Sequence, residues 1–73
     1  MYDFSRLLNL MEIRCVSQRR LAFVIGISAN AFNNKIQGRS FFNTQEIDRI
    51  CDALHIKQAD IGLYFFTKTK KAE

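Results

Sequence analysis

The sequence predicts an all-α fold, a compact bundle of four to five short helices. Apolar residues recur at helical spacing in separate stretches, and side chains suited to capping stand ahead of those stretches. The chain has no proline and only three glycines, and two of these, Gly26 and Gly38, fall where a helix has to stop.

The first helix is expected over about residues 4–14, where Phe4, Leu7, Leu8, Met11 and Cys15 share one face and Asp3 is the N-cap candidate. Ser17 opens a second helix, through Ile25, and Ser28 opens a third, through about Gln37. Gly26 and Gly38 end these two helices in the left-handed conformation. Asn43 and Glu46 are spaced as a capping box, with Ile47, Ile50, Cys51 and Leu54 forming the stripe behind them. A last short helix is expected from Gln58 to about Tyr64. The domain then covers 1–66, and residues 67–73 form a basic tail expected to fray.

A chain of 73 residues accommodates one domain. With 48% hydrophobic residues it can pack a core without metal or disulfide. The two cysteines and one histidine cannot make a four-ligand zinc site, and neither metal nor cofactor is expected. Cys15 and Cys51, both on apolar stripes, are expected to be buried and reduced. His55, near a helix end, is expected to meet free carbonyls. There is no apolar run long enough to span a membrane. No signal peptide is evident, which makes the cytoplasm the expected location. No nucleophile–base set, motif of paired carboxylates or glycine-rich phosphate loop is present, so an enzyme is not expected.

The charge is unevenly distributed. From Ile13 to Gln45 there are five basic residues (Arg14, Arg19, Arg20, Lys35, Arg39) and no acidic one. From Glu46 to Phe66 four acids face two bases, and Lys68, Lys70 and Lys71 follow. A polarised surface of this kind suits a polyanion.

Residues 17–39 read SQRRLAFVIGISANAFNNKIQGR. Ala22 supplies the small residue needed where two helices cross, and Gly26 supplies a turn position that tolerates positive φ. Ile27 plugs the turn, Phe32 anchors the helix that follows, and Leu21 and Ile25 complete the inward face. Two helices joined by a short glycine-containing turn make a helix-turn-helix.

Gln18, Ala22, Gly26, Ile27 and Ser28 resemble the Cro and repressor (XRE-like) family of helix-turn-helix domains, in which a glutamine precedes A-x-x-x-G-[IV]-S. The resemblance covers roughly residues 4–64, and the closing pattern of Glu46-Ile47 followed by Ile61–Thr67 is similar to a small subfamily from phages and prophages of Gram-positive bacteria. It implies a lambda-repressor-like DNA-binding domain acting in the bacterial host cell, with the second motif helix in the major groove of an operator. The base-contacting positions would be Ala29, Asn30, Asn33 and Asn34, since asparagine pairs with adenine and a methyl packs on thymine. Phosphate contacts would come from Gln18, Arg19, Arg20, Ser28, Lys35 and Arg39.

Some residues depart from that pattern. Phe23 and Val24 stand where polar residues are usual, the recognition helix has a single cation, Lys35, and Phe41 and Phe42 add apolar area beyond it. Together with Tyr64, Phe65 and Phe66 these are candidates for contact with a protein partner. The partner would be a second copy in a homodimer or a phage repressor, with the chain then serving as an anti-repressor or co-repressor. A small-molecule substrate is not expected.

Overall fold

Helical periodicity becomes five α-helices in the computed structural model, which describes residues 2–68. They are α1 (Ser5–Ile13), α2 (Gln18–Ile25), α3 (Ala29–Ile36), α4 (Thr44–Leu54) and α5 (Ile61–Phe65), the last preceded by a 3₁₀ turn over Gln58–Asp60. Lys70 and Lys71, with the rest of 69–73, lie outside the described residues. Among the described residues no helix is long and apolar enough to cross a membrane.

The caps fall where the polar residues stand. Ser17 Oγ accepts from the Arg20 amide at 3.1 Å and Ser28 Oγ from the Ala31 amide at 3.0 Å, each satisfying a donor that the helix itself leaves unpaired. Asn43 and Glu46 form the full capping box, with reciprocal bonds of 2.8 and 2.9 Å. At α1 the N-cap position is Phe4, one residue later than expected. The Asp3 carboxylate still accepts from the Ser5 amide at 2.8 Å. Its hydrogen bonds from the Ser5 side chain and amide hold the Asp3 carboxyl below the usual range.

Helix ends follow one device. Just past α1, α2, α3 and α4 stands a left-handed residue: Cys15, Gly26, Gly38 and His55, with φ of 60°, 84°, 86° and 59°. After α2 the Ile27 amide reaches back to the Ala22 carbonyl (3.0 Å) and the Gly26 amide to that of Phe23 (3.2 Å). After α1 the Val16 amide reaches Met11 (2.8 Å) and the Cys15 amide reaches Glu12 (3.1 Å). These pairs are the Schellman pattern. The arrangement corrects two expectations. Cys15 is exposed rather than buried, because the chain turns through it and the stripe of α1 ends at Met11. His55 closes α4 with its backbone N–H to the Cys51 carbonyl, and its exposed side chain has no hydrogen bond among the described residues.

This gives a paired test. A Cβ added at Gly26 would meet nothing closer than Arg49 Nη1 at 3.6 Å, so the cost of Gly26→Ala is conformational. That variant should lose about 1–2 kcal/mol of stability, whereas Cys15→Gly should hold or gain up to about 1 kcal/mol. Urea denaturation of both variants checks the two signs.

The core is drawn from every helix: Leu7 and Met11, Leu21, Ala22 and Ile25, Phe32, Ile50, Cys51 and Leu54, then Ile56 and Phe65. α2 packs against both α3 and α4, and α1 against α5. Burial, reinforced by Asp48 and Asp52, pushes the Cys51 thiol above its ordinary pKa, which keeps it a protonated core side chain. Above this core Phe42 meets Phe4, Phe32 and Phe65 edge to face, with centroid separations of 5.5, 5.7 and 5.8 Å.

The first two residues of the expected frayed tail are instead tied down. Tyr2 and Lys68 form an antiparallel bridge, and the Asp3 amide donates to the Thr67 carbonyl at 2.6 Å. Thr67 Oγ1 donates to the Leu63 carbonyl at 2.7 Å. Phe66 meets Tyr2 edge to face at 5.6 Å.

Candidate functional site

The site is set by the way α2 and α3 share the core. Leu21, Ala22 and Ile25 fill the inward face of α2, and Phe32 is the fully buried anchor of α3. Only Gly26, Ile27 and Ser28 separate the helices, so α3 starts immediately on its own Ser28 cap. With Phe32 turned inward, the opposite side of α3 faces solvent.

That side holds Ala29, Asn30 and Asn33, all exposed. Asn34 is half-buried and its Oδ1 accepts from Arg39 Nη1 at 3.2 Å. The sequence reading passed over Gln37, which is exposed at the C-cap of α3. Its spacing could have revealed it: Asn30, Asn33, Asn34 and Gln37 stand at i, i+3, i+4 and i+7, one continuous strip of carboxamides. Such a strip presents donors and acceptors in pairs without charge.

The cations are placed differently from one another. Arg19 and Arg20 are exposed in the first turn of α2, with no ion pair among the described residues. Gln18 lines a shallow groove between α1 and the start of α2 that also has Arg6 on its wall. Ser28 is committed to its cap. Arg39 is tethered to Asn34 beside the carboxamide strip.

Lys35 departs most from expectation. Its Nζ lies 3.3 Å from Glu46 Oε1, donates to the Phe41 carbonyl at 2.9 Å and sits 6.0 Å from the centre of the Phe42 ring. Both partners of this ion pair are largely buried. Lys35 is therefore a structural clamp between α3, the following loop and the cap of α4, and its charge is already matched. Among the described residues the outward side of α3 carries no unmatched cation.

The aromatic candidates divide in the same way. Phe23, 83% exposed, Phe41, 74% exposed, and Val24 lie on the surface. Phe66 is half-exposed against Tyr2. Phe65 is buried, and Phe42 is held at the centre of the aromatic cluster, so neither is on a contact surface as expected. Tyr64 is half-buried against the core. The missed signal for Phe42 is its position: it directly precedes the Asn43 cap, with Ile47 at the fourth helical position, as in a hydrophobic staple.

Among the described residues no three His, Cys, Asp or Glu side chains group closely enough to hold a metal ion. What the site can offer chemically is hydrogen bonding from a neutral strip along α3, with Arg39 held beside it, and two exposed arginines in the first turn of α2.

No curated protein matches the chain. A family model matches residues 1–68, and the chain thus belongs to the family described as "Protein of unknown function (DUF739)".

Proposed function

We propose that this protein is a sequence-specific DNA-binding transcriptional regulator of a phage genetic switch, Cro-like or repressor-like, that lays α3 in the major groove. The observation that carries the reading is the carboxamide strip Asn30, Asn33, Asn34 and Gln37, facing outward from a helix whose other side is anchored by Phe32. Carboxamides read adenine through paired contacts to N6 and N7. Arg19, Arg20 and Arg39 would supply attraction to phosphates, with Gln18 at the start of α2. The resemblance to Cro-type and repressor-type motifs points the same way.

Selection from random duplexes followed by fluorescence anisotropy tests it. The expected result is a preferred site bound with a Kd of about 10 nM or tighter, and an affinity that falls steeply with salt. Asn33→Ala should reduce discrimination at one base position by roughly 5- to 150-fold, whereas Arg20→Ala should weaken all sequences alike. Equal binding to selected and bulk DNA at low salt would sink the reading.

A second reading is favoured by two specific observations: Phe23 and Phe41 are exposed, and Lys35 is spent on Glu46. In that reading the chain binds the DNA-binding domain of a phage repressor and acts as an anti-repressor or co-repressor. A stable complex with such a domain, together with weak DNA binding by the chain alone, is its signature.

A further inference from the structure

α2 has a second face, of which the DNA reading uses only the two arginines and leaves the apolar part without a role. Its inward side is Leu21, Ala22 and Ile25, and its outward side is Arg19, Arg20, Phe23 and Val24. At helical spacing Arg19 stands one turn before Phe23 and Arg20 one turn before Val24, so the two pairs lie side by side. Phe23 is 83% and Val24 46% exposed, although both lie within the last turn of a regular helix. An exposed phenylalanine on a helix that already has a complete inward face adds nothing to the fold. Apolar side chains left outside in this way mark contact with another protein.

The charges identify the occupant. Neither arginine has an ion pair among the described residues, and the stretch from Ile13 to Gln45 contains no acidic residue. A partner seated on Phe23 therefore meets two uncompensated guanidinium groups at the rim of the contact. Apolar centre and cationic rim are complemented by the reverse pattern: an amphipathic helix with large apolar side chains flanked by aspartate or glutamate. We infer that the outward face of α2 is a docking surface for an acidic, amphipathic helical segment of a protein partner. The inference does not depend on α3 reading DNA. It deepens the protein-partner reading only in naming the chemistry of the segment that would sit on Phe23.

The test uses the full chain and a synthetic helical peptide with leucine and phenylalanine at i, i+3, i+4 and i+7 and glutamate at the flanking positions. A peptide with the glutamates changed to lysine is the control. Binding is followed by anisotropy, and the site by amide chemical-shift changes. The expected result is binding of the acidic peptide alone, with shifts centred on α2. Phe23→Ser should weaken it at least about tenfold, as loss of a central aromatic anchor does. Phe23→Ser should also leave affinity for a selected DNA site within about twofold, because that side chain is not on α3. The exposure of Phe23 predicts that the variant folds, which its melting curve verifies. No binding of the acidic peptide, equal binding of the lysine control, shifts away from α2, or full binding by Phe23→Ser would each overturn the inference. Failure of DNA selection would leave it standing and remove only the reading of α3.

Discussion

Phe32→Ala is expected to lower the unfolding free energy by about 3–5 kcal/mol, the largest effect of any single substitution considered. Phe32 is fully buried, and it carries α3 onto α2 while meeting Phe42 edge to face. Stability for a chain of this length scales to roughly 4–11 kcal/mol in total. Losing the ring would therefore consume a large part of it and leave a cavity bordered by Phe42. Equilibrium urea unfolding gives the number. Phe32→Leu should cost much less, about 1–1.5 kcal/mol, because most of the volume is retained. A loss under about 1 kcal/mol for Phe32→Ala would mean that α3 is not anchored as described.

The second large effect belongs to Glu46, the one buried charged residue among those described, at 8% exposure. Its Oε1 accepts from the Asn43 amide and also faces Lys35 Nζ. Glu46→Ala removes half of the capping box and leaves Lys35 largely buried without its counter-charge. The expected cost is about 2–3 kcal/mol. Lys35→Met alone should cost less, since methionine retains the packing over Phe42 and the Glu46 carboxylate keeps its bond to the Asn43 amide. In the double variant the losses should not add, and a double-mutant cycle by urea unfolding measures the coupling. Additive losses would show that the two side chains act separately. The same cycle bears on function: if Lys35 contacted DNA phosphates instead, Lys35→Met would flatten the salt dependence of DNA binding by about one unit of slope while leaving stability intact.

Much of this fold was legible in the residues. The stripes, the serine caps and the left-handed Gly26 and Gly38 are local features, and local geometry fixes them before any tertiary contact forms. Cys15 was misread because a stripe shows only that a side chain could continue a face. It does not show where the chain turns off, and here a non-glycine residue takes the left-handed position. The carboxamide strip could be read as far as Asn34, and Gln37 was one turn further along the same face. Lys35 was harder. As a lysine on the second motif helix it looks like a phosphate ligand, and its ion-pair partner, Glu46, lies in another helix. Phe42 and Phe65 were misplaced on a contact surface for the same reason: which aromatics a small core accepts depends on contacts between distant segments. Thr67 and Lys68 looked like frayed tail because their partners, Asp3 and Tyr2, stand at the other end of the sequence.

That joining of Tyr2 and Asp3 to Lys68 and Thr67 has a kinetic meaning. The helices form from neighbours in sequence, and α2, its turn and α3 are consecutive, so their closure costs little chain entropy. The clasp between the two ends encloses nearly the whole polypeptide and is held by a bridge, the Asp3–Thr67 hydrogen bond and an edge-to-face pair of rings. Its closure entropy is met only after the five helices have already brought the ends together. It is thus a late contact in folding and an early one to open. Sub-global opening there leaves the α2–α3 pair untouched.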